Sequence, residues 1–169
     1  MTQSHLLPED IADLAQRVVA ENRSSGRTVA VAESCTGGLV AAAITEVPGS
    51  SSVLDRGFVT YSNEAKQELL GVSADVIDAF GAVSIAVAWS MAQGALAKSN
   101  ADVAVAITGV AGPDGGTAQK PVGTVVFAKA IRGADPEDVM AEMRNFDPEG
   151  SRAEVRRQAT LIALELLLP

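Results

Sequence analysis

Histidine, cysteine and aromatic side chains are nearly missing from this chain of 169 residues, which has one His (His5), one Cys (Cys35) and 4% aromatic residues. A lone cysteine cannot close an internal disulfide, so nothing in the sequence calls for an oxidising compartment. A zinc site of the usual kind takes three or four His or Cys ligands, more than the chain owns. His5 lies in a polar N-terminal stretch expected to fray, whereas catalytic bases sit on supported elements. A Ser-His-Asp or Cys-His mechanism therefore lacks a suitable base. If the chain is a hydrolase, its base is another group.

Positive charge is scarce too. With 21 acidic residues against 13 basic ones and a net charge of -8, there is no long basic stripe for the phosphate contacts that drive nucleic-acid binding. The N-terminus lacks the basic-then-apolar pattern of a signal peptide. No apolar run approaches the ~20 residues that span a bilayer. The expectation is a cytoplasmic protein that binds neither nucleic acid nor membrane. Asn22-Arg23-Ser24 matches a glycosylation sequon, which reads as chance without a secretory signal.

What the chain does have is a large apolar share, 47%, rich in Ala and Val. At roughly 100–200 residues per domain, residues 1–169 are expected to form a single domain, with 1–7 frayed. A chain this long can bury ~70% of its unfolded surface and needs no staples. Its packing is expected to rest on small side chains that let elements approach closely.

Apolar spacing predicts a helix from about Pro8 to Glu21, and Thr28–Glu33 reads as a buried strand. An Ala-rich helix over Leu39–Thr45 follows directly after Ser34-Cys35-Thr36-Gly37-Gly38. A second strand is expected over about Val53–Tyr61, then a helix capped by Ser62 or Asn63 and running to about Leu70. Ser73 and Ser84 start two more helices, the second reaching Ala97. Asp102–Ile107 is a third strand, ending in the Gly-rich run Thr108–Gly116. Strands over Val122–Ile131 and about Val139–Phe146 come next, and a capping-box pattern at Ser151–Glu154 opens the last helix. Strands alternating with helices predict an α/β fold: one three-layer α/β/α sandwich with a mainly parallel mixed sheet, its late strand pair forming an antiparallel edge.

In such sheets ligands sit beyond the carboxyl ends of the strands. Three strand ends carry chemically loaded sequence: Ser34–Gly38, Tyr61–Lys66 and Thr108–Gly116. In the first, a hydroxyl or thiol stands just ahead of a helix N-terminus, beside free N–H groups that suit an oxyanion. Ser34 or Thr36 serving only as a helix cap fits the same residues. In the second, Lys66 falls in a first helical turn, where the macrodipole and desolvation both disfavour its charge. A solvated lysine paired with Glu64 or Glu68 fits equally. The third lacks the ending of a P-loop and the spacing of a dinucleotide fingerprint, yet resembles a ligand-cradling loop. Arg152 and Arg156 share one face of the last helix and suit an anion or an exposed ion pair. Cys35 rivals Ser34 as nucleophile, since thiolates are activated at helix N-termini. Neighbours on an extended approach point opposite ways, so the two cannot both enter one site.

The runs Ala32–Gly38, Gly57–Lys66, Gly81–Ser84, Gly109–Gly116, Lys120–Val125 and Val155–Ala159 together resemble the CinA C-terminal-domain family. They follow one another in order across nearly the whole chain. The resemblance implies a nicotinamide-nucleotide amidase, converting nicotinamide mononucleotide to nicotinic acid mononucleotide and ammonia in pyridine-nucleotide salvage. Longer CinA proteins carry a further N-terminal domain, and this chain is expected to be the stand-alone form.

By the resemblance Ser34 is the nucleophile and Lys66 its base, with Tyr61 assisting, Lys66 taking the serine proton directly or through the Tyr61 hydroxyl. Thr36, Gly37 and Gly38 would contribute oxyanion and substrate contacts. Asn63 and the loop residues Thr108, Gly109, Gly112, Gly115 and Gly116 would hold ribose or pyridine, and Arg156 or loop N–H groups the phosphate. No cofactor or metal is implied, the partner is a small pyridine nucleotide, and a homo-oligomer is expected. Ile85 stands where many relatives follow Ser84 with an acidic residue, so this helix start lacks a capping charge. A non-catalytic nucleotide-binding or regulatory module is the alternative reading.

Overall fold

Valine and alanine alternate along the central strands, and that alternation decides how the layers pack. The computed structural model describes residues 4–169. Strand β1 (Val29–Glu33) reads Val-Ala-Val-Ala-Glu, and β3 (Val103–Gly109) begins Val-Ala-Val-Ala-Ile. Successive side chains of a strand point to opposite faces. Val29, Val31, Val105 and Ile107 therefore enter one core, against α1 (Glu9–Ser24), α2 (Leu39–Thr45) and α6 (Arg152–Leu166). Ala30, Ala32, Ala104 and Ala106 enter the other. There they meet α5 (Ile85–Ala97), Leu70 of α3 (Asn63–Leu70) and Ile77 of α4 (Ala74–Phe80). Strand β4 (Thr124–Ile131) repeats the division, with Val125 and Phe127 on the first face and Val126, Ala128 and Ala130 on the second.

Each fully buried Val, Ile or Phe contributes ~1.5–3 kcal/mol. The branched face thus supplies most of the burial energy of the sheet, and the alanine face supplies close approach. Gly94 of α5 comes so near the end of α3 that a Cβ there would overlap the Leu70 carbonyl.

The sheet order is β2-β1-β3-β4-β5, with β2 spanning Leu54–Val59 and β5 Met140–Asn145. β1 runs parallel to β2 and β3, whereas β4 is antiparallel to both β3 and β5. Only β4 is reversed, and β5 at the edge points the same way as the first three. The expected three-layer α/β/α arrangement with a mixed, mainly parallel sheet is what forms. Strand limits differ slightly from expectation. Val53 closes a turn by donating to Ser50 O, and Gly123 adopts φ 92°, which holds Val122 and Gly123 out of β4.

Four serines cap helices as their positions predict. Ser62, Ser73, Ser84 and Ser151 accept from the N–H groups of Ala65, Asp75, Val87 and Glu154. Ser84 does so with Ile85 behind it and no acidic residue in the first turn. Of the stretch 1–7, residues 1–3 lie outside the described residues. Residues 4–7 carry no helix or strand, but Leu7 packs against the core beside α1. Among the described residues no helix is long and apolar enough to cross a membrane.

Candidate active site

Because β1, β2 and β3 are parallel, their carboxyl ends lie along one edge of the sheet, and the three loaded segments meet there. They enclose a cleft of about 330 Å³ lined by Ser34, Cys35, Tyr61, Asn63, Lys66, Thr108, Gly109, Gly112, Gly115 and Gly116, all singled out in the sequence. Thr36, Gly37, Gly38 and Arg156 are not among its lining residues, whereas Arg152, Ala82, Val83 and Asp114 are. A larger hollow of about 430 Å³, between α1 and the end of α2, includes His5 but none of the candidate site residues.

The alternation of β1 continues past its end and sorts the three consecutive polar residues. Glu33 follows Val29 and Val31 toward α2 and is fully buried. Its Oε1 accepts from Gly38 N at 3.2 Å and Val40 N at 3.0 Å, and its Oε2 from Ala41 N at 3.1 Å. Glu33 is thus the cap of α2, whose N-cap residue Gly38 (φ 105°) offers no side chain. Ser34 turns to the other side, toward α3. Cys35 returns to the α2 side and joins the core cluster there, yet it also borders the cleft beside Gly109, so the expectation that only one of the two residues enters the site is corrected.

Lys66 meets Ser34 from the first turn of α3. The lysine is 1% exposed, and its Nζ lies 3.1 Å from Ser34 Oγ, 2.9 Å from Thr60 O and 3.3 Å from Tyr61 O. Burial lowers its pKa below the usual lysine value. The neighbouring Cys35 thiol supplies no counter-charge at neutral pH, because burial pushes its own pKa up to about 12. That protonated, buried thiol lacks the accessible setting of a reactive cysteine, burial outweighing the nearby Arg156 and Lys66 charges.

The Tyr61 hydroxyl does not reach Lys66. It accepts from Arg152 Nη2 at 3.1 Å across the mouth of the cleft, and the tyrosine touches Lys66 only through its backbone carbonyl. A proton relay through the phenol therefore has no support in this geometry. Arg152 also donates from Nη1 to Gly112 O at 2.7 Å, tying α6 to the Gly-rich loop.

Arg156, one turn further along α6, reaches beneath the turn instead. Its Nε donates to Cys35 O at 3.1 Å and its Nη2 to Thr36 O at 3.4 Å. The anion-holding role expected of Arg156 is corrected accordingly: Arg152 faces the cleft and Arg156 does not. The expected oxyanion donors change as well. Gly38 N–H is taken by Glu33, and Gly37 N–H donates to Ser34 O at 3.0 Å. Thr108 spends its hydroxyl on Ala82 O at 2.9 Å, which fixes the loop before α5 against β3. Gly109 permits a close approach in the site, since a Cβ there would sit 3.1 Å from Cys35 Sγ and 2.8 Å from Val125 Cγ2. Two buried hydroxyls, Thr36 Oγ1 and Thr60 Oγ1, have no partner among the described residues.

A serine beside a buried lysine, at the carboxyl edge of an α/β sheet and under a Gly-rich loop, defines a candidate site for nucleophilic chemistry without histidine or metal ligands. The chain belongs to the CinA family: the model of the CinA C-terminal domain matches residues 11–169. It is 50% identical over 156 residues to the nicotinamide-nucleotide amidohydrolase PncC of Enterobacter agglomerans, covering 92% of each chain. Against the PncC of Escherichia coli K12 it is 48% identical over 167 residues, covering 99% of this chain and 95% of that one. It spans 35% of a longer CinA-like protein of Mycolicibacterium paratuberculosis, at 48% identity. The crystal structure of the competence/damage inducible protein CihA from Agrobacterium tumefaciens superposes with a TM-score of 0.90 at 48% identity, covering 96% of both chains.

Proposed function

We propose that the chain hydrolyses the carboxamide of nicotinamide mononucleotide to nicotinic acid mononucleotide and ammonia, as a cytoplasmic enzyme of pyridine-nucleotide salvage. The observation that carries this reading is the buried amine of Lys66 at 3.1 Å from Ser34 Oγ. The near full-length similarity to two PncC amidohydrolases supports the choice of substrate.

A neutral lysine amine has two hydrogens and one lone pair. Thr60 O and Tyr61 O accept the two hydrogens, so the lone pair is left for the Ser34 hydroxyl. As Ser34 Oγ bonds to the carboxamide carbon, its proton passes to Nζ, and the carbonyl oxygen becomes an oxyanion. The new ammonium keeps both carbonyl partners, which offsets the desolvation of the charge it has gained. Collapse of the tetrahedral intermediate breaks the C–N bond, and Lys66 returns the proton to the departing ammonia. Water then attacks the acyl-serine, giving a proton to Lys66 and leaving the carboxylate with Ser34 restored.

Arg152 at the mouth of the cleft suits the 5′-phosphate, and the N–H groups of the Gly-rich loop add donors without a charge. Asn63 opens α3 at the same rim and suits the ribose hydroxyls.

The deciding experiment incubates pure protein with nicotinamide mononucleotide and follows ammonia and nicotinic acid mononucleotide. Stoichiometric release of both, lost in Ser34→Ala, is the expected result. Tight nucleotide binding without turnover would replace the amidase by a nucleotide-binding module.

A further inference from the structure

The mouth of the cleft carries one charge of each sign, and neither is neutralised. Among the described residues Asp114 is the single acidic side chain lining the cleft and Arg152 the single arginine. Lys66, the other basic residue there, is the buried base. Neither Asp114 nor Arg152 makes an ion pair among the described residues, with the other or with a third side chain. Opposite charges that share a cleft without pairing leave both fields open to a ligand.

Asp114 is exposed, yet its loop is fastened on both sides. Two residues before it, Gly112 O accepts from Arg152 Nη1 at 2.7 Å. Two residues after it, Gly116 (φ 80°) packs so closely that a Cβ would lie 2.9 Å from Val122 N and 3.1 Å from Lys120 O. Thr117 N–H then donates to Lys120 O at 2.8 Å and closes the loop. The carboxylate is thus presented to the cleft from a supported segment.

Nicotinamide mononucleotide carries the matching charges. Its N-ribosylated ring is a permanent pyridinium cation, and its phosphate is an anion. With the carboxamide at Ser34 and the phosphate at Arg152, the ring nitrogen falls between them, since it is meta to the carboxamide and bears the ribose. At about 330 Å³ the cleft lies at the lower end of small-molecule pockets (~300–1,000 Å³), so the ring has little room to stand away from its walls.

We propose that Asp114 is a specificity-determining residue that recognises the positive charge of the pyridinium ring. The proposal takes its ligand from the amidase reading above. An N-ribosylated nitrogen has no N–H to donate, so the attraction is Coulombic and asks for no hydrogen-bond geometry. Free nicotinamide, with a neutral ring and no phosphate, meets neither charge, and the pair of residues selects the nucleotide over the base. The ring keeps its charge while the carboxamide is attacked, so Asp114 acts on binding and not on the chemical step.

The test measures binding by calorimetry in the Ser34→Ala background, where turnover does not interfere, with and without Asp114→Asn or Asp114→Glu. The ligands are nicotinamide mononucleotide and its C-nucleoside analogue, whose ribose 5′-phosphate is joined to a carbon of a neutral pyridine carboxamide. Asp114→Asn should weaken the mononucleotide by about 5–20-fold and the neutral analogue by less than about twofold, as loss of one partly solvated charge pair requires. Asp114→Glu, which restores the charge, should keep most of the preference for the cationic ring. In the chain with Ser34 intact, Asp114→Asn should raise KM by the same factor at unchanged kcat.

Equal losses on both ligands would assign Asp114 to the ribose hydroxyls or to the shape of the loop, and would overturn the proposal. Unchanged affinity for both would do so too, as would a lowered kcat at unchanged KM. Ammonia release by the wild type is scored separately. Its absence would remove the amidase reading, whereas a charge-selective loss of binding would still establish the pyridinium subsite.

Discussion

Lys66 Nζ and Ser34 Oγ lie 3.1 Å apart, and the two other partners of the amine are backbone carbonyls, with no carboxylate in contact. The pair therefore has a base whose charged form is stabilised by dipoles alone and is penalised by burial. Its readiness to accept a proton follows from that balance, and so does its dependence on pH.

The lysine value is lowered in the folded chain, so activity should rise with pH as the amine form fills. The ascending limb of kcat/KM is expected to be centred below the ordinary lysine value of ~10.4. Stability changes in the same direction. Between the lowered folded value and ~10.4 the unfolded chain binds more protons, so stability rises with pH through that window and the penalty is fully present below it. Rate measurements and urea titrations at stepped pH check both. An ascending limb centred at or above ~10.4 would contradict the assignment of Lys66 as base.

Replacing the two candidate nucleophiles separates them cleanly. Ser34→Ala should lower kcat by ~10⁴-fold or more, as for other nucleophile deletions. Cys35→Ala should keep kcat within a few-fold, because its thiol is buried and protonated. Ammonia release under saturating substrate reads both. Cys35→Ala should still cost about 1 kcal/mol of stability through the cavity it leaves, visible as a small fall in the urea midpoint.

Arg152 is expected to act on binding and not on the chemical step. A charge-assisted hydrogen bond contributes ~1.5–3 kcal/mol, so Arg152→Ala should raise KM for the mononucleotide by about 10–100-fold. The corresponding riboside, which lacks the phosphate, should be nearly unaffected. Parallel kinetics on the two substrates make the comparison, and equal losses on both would count against a phosphate contact.

Glu33→Gln should weaken the start of α2. The amide keeps one acceptor oxygen but turns an NH2 toward a backbone N–H, leaving a buried donor facing a donor. The loss is ~1–3 kcal/mol, and each kcal/mol lowers Tm by about 2–4 °C at this chain length. Calorimetry on the variant reads it directly. An unchanged Tm would mean that the helix start finds another cap.

Much of this arrangement is legible in the sequence. The element order follows from apolar runs and serine caps, and Ser62, Ser73, Ser84 and Ser151 cap as their positions predict. The meeting of three strand ends follows from parallel strands. The choice between Ser34 and Cys35 is half legible: strand alternation groups Cys35 with Val29 and Val31, but the face on which α3 brings Lys66 depends on how the chain crosses over. Arg152 and Arg156 are four residues apart on one helix face, so spacing cannot say which reaches the cleft and which the underside of the turn. The height of α6 against the sheet decides that. Glu33 capping a helix five to eight residues onward matches no local capping pattern, which is why the helix start reads as open in the sequence. The Tyr61 phenol likewise points where Arg152 allows, a tertiary matter.

The alternation along β1 carries a further consequence for how this chain can change. The same parity that sends valine to one layer and alanine to the other delivers Glu33 to the helix and Ser34 to the lysine. A one-residue insertion or deletion within the strand would exchange those destinations while leaving every residue type in place. Substitutions on either face can be absorbed one at a time, whereas the length of this strand cannot vary by a single residue. Packing and reactivity are written in one reading frame.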